Sequence, residues 1–215
     1  MNKPELIPNP DGTWNLDYPQ STLRPSAAAE PQRLEAATRA ALKRCPWDFG
    51  AATLLSDLLT ERGDVQEGCQ VRFDALQRAI RLLDTDEEIV LNWNDRQARN
   101  MVELMAQSAV DHFWIQDFEI CAAACEMTLD ADPEDHTGIT PYLLYSYALL
   151  EDWDSFDERL MDLDPRSIHC ELLESIRDFD KGVKTEVEVD AQTRQLIEPV
   201  CLQIPEWSKL LKEKK

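Results

Sequence analysis

Two cysteines and a histidine stand within one short stretch, HFWIQDFEICAAACEMTLDADPED, at residues 112–135. Cys121 and Cys125 are four positions apart, so on a helix their thiols point the same way. Two thiolates at this spacing could bind a metal with His112 as a third ligand, but tetrahedral zinc needs four ligands and no obvious fourth is present. The alternative is that both cysteines are small apolar residues at a contact between helices. We favour this alternative and predict no metal.

The acidic residues of this stretch suggest a second chemistry. DADPEDH, at 130–136, carries carboxylates at alternate positions, as a calcium-binding loop does. Such a loop needs glycine at its sixth position and glutamate at its twelfth. Asp135 and Pro141 occupy those positions. The stretch is therefore predicted to be a solvated turn. The same interpretation is favoured for the acidic clusters at 84–88 and 151–164, over paired catalytic carboxylates.

Catalytic motifs are missing from the sequence. His169 and Cys170 are neighbours, and on a helix their side chains diverge by about 100°, so they cannot form a nucleophile–base pair directly. No GxSxG, HExxH or dinucleotide-binding pattern occurs, and six glycines leave little material for a phosphate-binding loop. We predict that the protein is not an enzyme and takes no cofactor. A metal-dependent enzyme using the carboxylates or Cys and His is the least favoured alternative.

The charge balance narrows the classes of partner. The chain has 22 basic and 42 acidic residues, a net charge of −20 at pH 7. Such a surface repels phosphate backbones and anionic lipids, so nucleic acid and membranes are not expected partners. A basic protein or peptide would be attracted, although acidity can also serve solubility alone. The start of the chain has no signal-type apolar segment and the six cysteines form no CxxC, so we expect a cytoplasmic protein.

Composition divides the chain into three regions. Residues 1–26 are rich in proline and predict an extended N-terminal arm, residues 27–180 predict a helical domain, and residues 181–215 predict a C-terminal helical extension or cap. Three alternating apolar residues could attach the arm to the body: Trp14, Leu16 and Tyr18.

Helices in the central region are predicted to come in antiparallel pairs. Gly63-Asp64 separates two amphipathic segments as a tight turn. Comparable turns occur at Gln116-Asp117-Phe118 and at Glu151-Asp152-Trp153. The cap positions 117 and 152 lie 35 positions apart, close to the ~34 residues of a known class of helical repeat.

The central motif resembles a tetratricopeptide repeat. His112-Phe113 ends the first helix, Gln116-Asp117-Phe118 is the turn, Cys121 is the small residue, and Asp132-Pro133 closes the unit. The hairpins at 49–83 and 137–165 are similar but depart from the pattern, the first by lacking the closing proline. The resemblance covers roughly residues 47–165. It implies an all-α fold, a short right-handed α-solenoid of antiparallel helix pairs.

The resemblance also implies where a partner would bind. In such an array the first helix of each pair lines a concave groove, which would hold a peptide or protein. By position, the groove residues are Glu103, Gln107, Val110, Phe113, Trp114, Tyr142 and Tyr145. The aromatic residues would anchor a segment carrying Lys or Arg. Alternatively, the N-terminal arm or the C-terminal segment fills the groove.

Two segments fall outside the repeats. Thr85 and Glu88 form a capping-box pattern that predicts a short separate helix, with a strand at 89–93 as the alternative. The region beyond residue 180 predicts a strand-like run at Val183, Val187 and Val189. It also predicts a helix near 190–198, a break at Pro199, and a last short helix from Pro205.

These expectations lead to three functional hypotheses. The first is a non-enzymatic interaction module, a scaffold or adaptor that binds a peptide or protein on its concave face. The second is an acidic inhibitor or chaperone that masks a basic protein. The third is the metal-dependent enzyme already mentioned.

Overall fold

The computed structural model describes residues 3–18, 30–167, 169–183, 186–189, 191–201, 207 and 209–213. Within these residues the chain is mostly helical, as predicted, with nine helices and four short strands. The helices are α1 (Pro31–Arg44), α2 (Phe49–Arg62), α3 (Val65–Leu83), α4 (Arg96–Trp114), α5 (Phe118–Ala131), α6 (Thr140–Leu149), α7 (Trp153–Leu160), α8 (Cys170–Asp180) and α9 (Ala191–Cys201). The strands are β1 (Glu5–Pro8), β2 (Trp14–Asp17), β3 (Val187–Val189) and β4 (Leu211–Glu213).

Turn chemistry separates the helices where the sequence predicts. Gly63 ends α2 in the left-handed conformation, with φ of 97°, which glycine adopts without steric cost. α3, α5 and α7 each begin directly after an aspartate: Asp64, Asp117 and Asp152. Only the last of these caps its helix through the side chain, by accepting from Ser155 N at 3.2 Å. The Asp64 carboxylate instead pairs with Arg62 at 2.5 Å.

Consecutive helices pack against one another from α1 to α7. α2 and α3 fold back on each other across the turn at Gly63, and α4 and α5 do so across residues 115–117. α6 and α7 form a third pair across residues 150–152. Residues 96–115 and 118–131 therefore lie folded together, as the predicted antiparallel helix pairs require.

Residues 5–17 of the N-terminal arm form a β-hairpin that packs on the helices. β1 and β2 pair antiparallel, with Leu6 opposite Leu16, and Gly12 in the connecting turn has φ of 87°. Leu16 and Tyr18 are buried, as their alternation predicts. Leu16 N donates to the Asp95 carboxylate at 2.9 Å, and that carboxylate also caps α4. The hairpin at residues 5–17 is therefore a folded part of the domain.

The connector between α3 and α4 corrects one prediction. No helix forms at 85–88, because the Thr85 hydroxyl bonds to the backbone N–H and C=O of Glu87 in a local turn. The alternative strand is reduced to one parallel bridge, between Leu91 and Trp14. Leu91 N also donates to Ala131 O at 2.8 Å. The connector is thus held between the hairpin and the end of α5.

The chain after α7 departs further from expectation. The amphipathic sequence RSIHCELLESIRDF predicts a helix that begins at Pro165, with Asp164 as its cap. α8 begins only at Cys170, because the Asp164 carboxylate accepts from Arg166 N at 2.9 Å and favours a turn there. The predicted break at Pro199 is wrong, since α9 continues to Cys201. Pro199 has no N–H to donate to the carbonyl of Gln195, which stands at an exposed position of the helix.

Val187 and Val189 of the predicted strand-like run lie in β3, whereas Val183 lies outside it. β3 pairs in parallel with β4, with Val187 opposite Leu211. The sequence did not identify this partner strand. Pro205, where a last helix was expected, lies outside the described residues. Among the helices that the structure does describe, none combines the length and apolar character that crossing a membrane requires.

Candidate functional site

The predicted groove residues divide into exposed and buried groups. Phe113 and Tyr145 are both 0% exposed, so they support the face from inside and cannot contact a partner. This corrects their expected role. The other predicted residues retain accessible surface to different degrees: Glu103, Gln107, Val110, Trp114 and Tyr142. Trp114 is the most prominent apolar one, at 40% exposed, with its ring 6.3 Å from that of Tyr142.

Phe113 is the centre of an aromatic cluster between the helix pairs. Its ring centroid lies 5.3 Å from Trp114, 5.6 Å from Phe118, and 5.3 Å from Tyr142. These are edge-to-face contacts, the arrangement that aromatic rings prefer. The Phe113-Trp114 pair of the sequence therefore splits, with one ring in the core and the next at the surface.

Tyr145 is covered by the C-terminal segment. Its ring lies 6.1 Å from Trp207, and its hydroxyl is 2.9 Å from His169 Nδ1. Burial raises the pKa of the Tyr145 phenol and lowers the pKa of His169. A neutral imidazole accepting from a neutral phenol fits both directions. Trp207 of the C-terminal segment therefore lies against Tyr145, and this predicted groove residue is not accessible to a partner.

The cysteine and histidine side chains of residues 112–125 do not form a shared site. Cys121 and Cys125 are fully buried with their sulfurs 4.0 Å apart. The contact between the two thiols lowers the pKa of Cys121 and, together with burial, raises the pKa of Cys125. His112 instead packs on Phe73 at 4.9 Å and lies 3.4 Å from Asp117. Across the described ranges, no three His, Cys, Asp or Glu side chains are grouped to hold a metal ion.

The structure brings together the three acidic clusters that the sequence places far apart. Residues from 87–88, 126–135 and 158–164 line three adjoining cavities of about 790, 360 and 350 Å³. We call the three cavities together the acidic cleft. Asp130, on the last turn of α5, lines all three. It is therefore the residue that joins them into one surface.

The acidic cleft has a strongly negative lining. The carboxylates that line it are Glu87, Glu88, Glu126, Asp130, Glu134, Asp135, Glu158, Asp162 and Asp164. Arg159 supplies the one Lys or Arg side chain among the described lining residues. The C-terminal ends of α5 and α7 add negative potential to the cleft, whereas the N-terminus of α6 at Thr140 adds positive potential. The nine carboxylates outnumber these partial charges, and the cleft favours a cation.

Apolar residues form part of the cleft as well. Leu129, Pro133, Pro141 and Leu163 line the largest cavity between the carboxylates. Such a mixture suits the aliphatic stem of a Lys or Arg side chain, with its charged end at the rim. The cleft therefore fits a cationic side chain better than a small inorganic ion.

Local hydrogen bonds hold the loop between α5 and α6 in place. Asp135, with φ of 49°, accepts from Ile139 N at 2.7 Å and from Thr140 N at 3.2 Å, and so caps the start of α6. His136 stacks on Trp93 at 4.5 Å and approaches the buried Asp132 carboxylate at 2.7 Å. The loop is thereby tied to the connector that carries the opposite wall of the cleft.

Part of the carboxylate set is committed to internal contacts. Glu126 accepts from the Tyr147 hydroxyl at 2.5 Å, and burial together with this contact raises the pKa of Tyr147. Asp130 and Glu158 are exposed side chains on α5 and α7.

The sequence predicted that all three acidic clusters are solvated faces. The signal it missed is that two of them follow the second helix of successive pairs, which places them side by side when the pairs stack.

Comparison with known proteins adds no assignment to this geometry. The sequence matches no model of a known protein family and has no significant similarity to a curated protein.

Proposed function

We propose that this protein is a non-enzymatic interaction module whose acidic cleft binds a basic segment of another protein. The observation that carries the proposal is the convergence of three separate acidic clusters on one cleft that also contains apolar residues. Bringing like charges together costs folding free energy, and a cationic partner would offset that cost on binding. Recognition by main-chain shape alone would not need this arrangement.

The proposal includes a tetratricopeptide-like architecture. Support comes from the three helix pairs, from the turns at residues 64, 117 and 152, and from the small buried residues Ala109 and Cys121 of the pair formed by α4 and α5. In a right-handed solenoid of this kind the second helix of each pair faces outward. The acidic cleft would then lie on the outer face, between α5 and α7, while the predicted concave face would lie on α4 and α6.

The concave face remains a second candidate surface for a peptide. The exposed ring of Trp114 and the half-buried ring of Tyr142 favour it, and Glu103 and Gln107 lie on α4 with Trp114. Binding at the two surfaces should depend on different side chains. Cleft binding depends on Asp130, whereas concave-face binding depends on Trp114.

The test uses a fluorescein-labelled hexa-arginine peptide and the full-length protein, with affinity measured by fluorescence anisotropy. Asp130→Asn should weaken binding about three- to tenfold, as expected for loss of one attractive charge within a binding surface. Glu61→Gln removes the same charge from the exposed end of α2, outside the cleft, and should change affinity less than about twofold. Equal effects of the two variants would show that only net charge matters. Weakening by Trp114→Ala alone would favour the concave face.

A second candidate function is an inhibitor or chaperone that masks a whole basic protein. The net charge of −20 favours it, because long-range attraction extends over the entire surface. Such a partner would compete with hexa-arginine and would also protect surface beyond the cleft from hydrogen exchange.

We propose the cytoplasm as the site of action, supported by six cysteines that all carry free thiols.

A further inference from the structure

Arg159 occupies a particular position in the acidic cleft. Among the described residues that line the three cavities, it alone is an arginine or lysine, and it lines both the cavity of about 790 Å³ and that of about 350 Å³. It lies on the last turn of α7. Its Nη1 is 3.2 Å from the Asp162 carboxylate, which lines the same two cavities. A guanidinium of the protein itself is therefore held where the cavities adjoin.

We infer that Arg159 is an internal competitor that limits binding at the acidic cleft and sets its preference for arginine; this inference rests on the proposed function. Arg159 forms an ion pair with Asp162. An arginine of the partner must therefore displace the Arg159 guanidinium from this carboxylate. The displacement is easy because the side chains are 36% and 61% exposed, and exposed ion pairs are weak. A ligand with a single cation therefore binds weakly, because it only replaces Arg159 at Asp162. A segment with several cations binds more tightly, because its other cations contact the remaining carboxylates.

The geometry of the pair indicates which cation displaces it best. Arg159 reaches Asp162 through a single nitrogen, Nη1, at 3.2 Å. A partner arginine is free to approach the carboxylate with two parallel N–H groups, which is the stronger arrangement. A lysine ammonium cannot make this two-point contact. A hexa-arginine peptide should therefore bind more tightly than hexa-lysine.

The experiment compares Arg159→Gln with the charge-matched control Arg33→Gln, which removes a cation from the exposed surface of α1. Anisotropy with hexa-arginine is measured at about 0.1 M salt, where charges more than about 10 Å away are screened. Arg159→Gln should tighten binding about two- to fivefold, the range expected when an exposed ion pair no longer competes. Arg33→Gln should leave affinity within about 1.5-fold, and Arg159→Lys should stay close to wild type, because each retains a cation in the cleft.

A double-variant comparison separates competition from a general change of charge. In the wild type Asp162 is already paired with Arg159, so Asp162→Asn should weaken hexa-arginine binding only slightly. In the Arg159→Gln background Asp162 is available to the peptide, and Asp162→Asn should remove most of the gain. An equal penalty of Asp162→Asn in both backgrounds would overturn the inference, as would equal tightening by Arg159→Gln and Arg33→Gln. Failure of Asp130→Asn to weaken binding would instead overturn the proposed function.

Discussion

Arg72 holds Asp111 with two hydrogen bonds across the contact between α3 and α4, Nε to Oδ2 at 2.5 Å and Nη2 to Oδ1 at 2.9 Å. The Arg72 side chain is nearly buried, and its third nitrogen contacts the buried Ser56 hydroxyl on α2. Three consecutive helices are therefore joined by one guanidinium. This contact fixes how the first helix pair meets the second.

Removing the carboxylate should be costly at this position. Asp111→Ala leaves a buried guanidinium whose nearest remaining carboxylate is Asp57 at 3.6 Å, so we expect the free energy of unfolding to fall by about 3 kcal/mol. Urea denaturation measures the change. Asp157→Ala is the control, since Asp157 makes the same two-point contact with Arg177, at 2.7 and 2.5 Å, but is 47% exposed. It should cost less than about 1 kcal/mol. Equal losses would contradict the assignment of burial as the cause.

The helix pairs were predictable because their boundaries depend on local chemistry. A glycine at 63 and aspartates at 64, 117 and 152 mark turns within a few residues of themselves, and the helices begin where these residues predict. Local competition also explains a failure. The pattern at Thr85 satisfies both a capping box and a short side-chain turn, and the structure adopts the second.

Three described residues other than glycine lie in the left-handed region: Gln116, Asp135 and Glu151. Glu151 has φ of 58° between α6 and α7, where a side chain costs about 1 kcal/mol. Glu151→Gly should therefore raise the free energy of unfolding by about 0.5 kcal/mol, part of the relief being offset by the greater freedom of glycine in the unfolded chain.

The variant Gly63→Ala tests the cost of a side chain at positive φ by adding one, where Glu151→Gly removes one. Gly63→Ala places a methyl group at φ of 97°, where no neighbouring atom lies within 4 Å, so any cost comes from the backbone alone. We expect a loss of about 1 kcal/mol. Thermal unfolding of both variants would show opposite shifts of the midpoint. Shifts in the same direction would exclude backbone conformation as the explanation.

The C-terminal segment should contribute to the stability of the α6 end. Trp207 is 5% exposed and covers Tyr145, so Trp207→Ala removes a large buried ring and should cost about 3 kcal/mol. Trp114→Ala, at a ring that is 40% exposed, should cost no more than about 1 kcal/mol. Urea denaturation compares the two. If both tryptophans contributed equally, Trp207 would not form part of the core.

Contacts between distant parts of the chain could not be predicted from the sequence. The acidic cleft, the cover of Tyr145 and the parallel pairing of β3 with β4 each join residues more than twenty positions apart. No local pattern specifies such a pairing, because it depends on how the helices stack. The assignment of both Phe113 and Trp114 to the groove has a different cause, because consecutive helical residues point about 100° apart and one of the two rings is expected to turn inward.

Acid should weaken the contact between Tyr145 and His169. The pKa of His169 is lowered by burial in the folded state, so the folded protein binds fewer protons than the unfolded chain below the unfolded pKa of about 6.5. The stabilising contribution is complete above this value and is lost as the pH falls toward the folded pKa. Between about pH 7.5 and 5.5 we expect a loss of up to about 1 kcal/mol from this residue.

The His169 contribution can be separated from that of the many carboxylates. His169→Gln keeps a hydrogen-bonding side chain but does not titrate, so its unfolding free energy should fall less than that of the wild type over the same pH interval. The difference between the two proteins is the quantity measured. Parallel curves would show that His169 titrates alike in the folded and unfolded states.

Salt should weaken binding of a basic segment at the acidic cleft. Between about 0.01 and 0.15 M salt the screening length falls from about 30 to about 8 Å, so carboxylates beyond direct contact cease to attract the peptide. The affinity for hexa-arginine should fall more than about tenfold over this range. Asp130→Asn should flatten the dependence, because one of the contacting charges is gone, while Trp114→Ala should leave its slope unchanged. An affinity that does not change with salt would mean that apolar contacts dominate, which would favour the concave face with Trp114 and Tyr142 over the cleft.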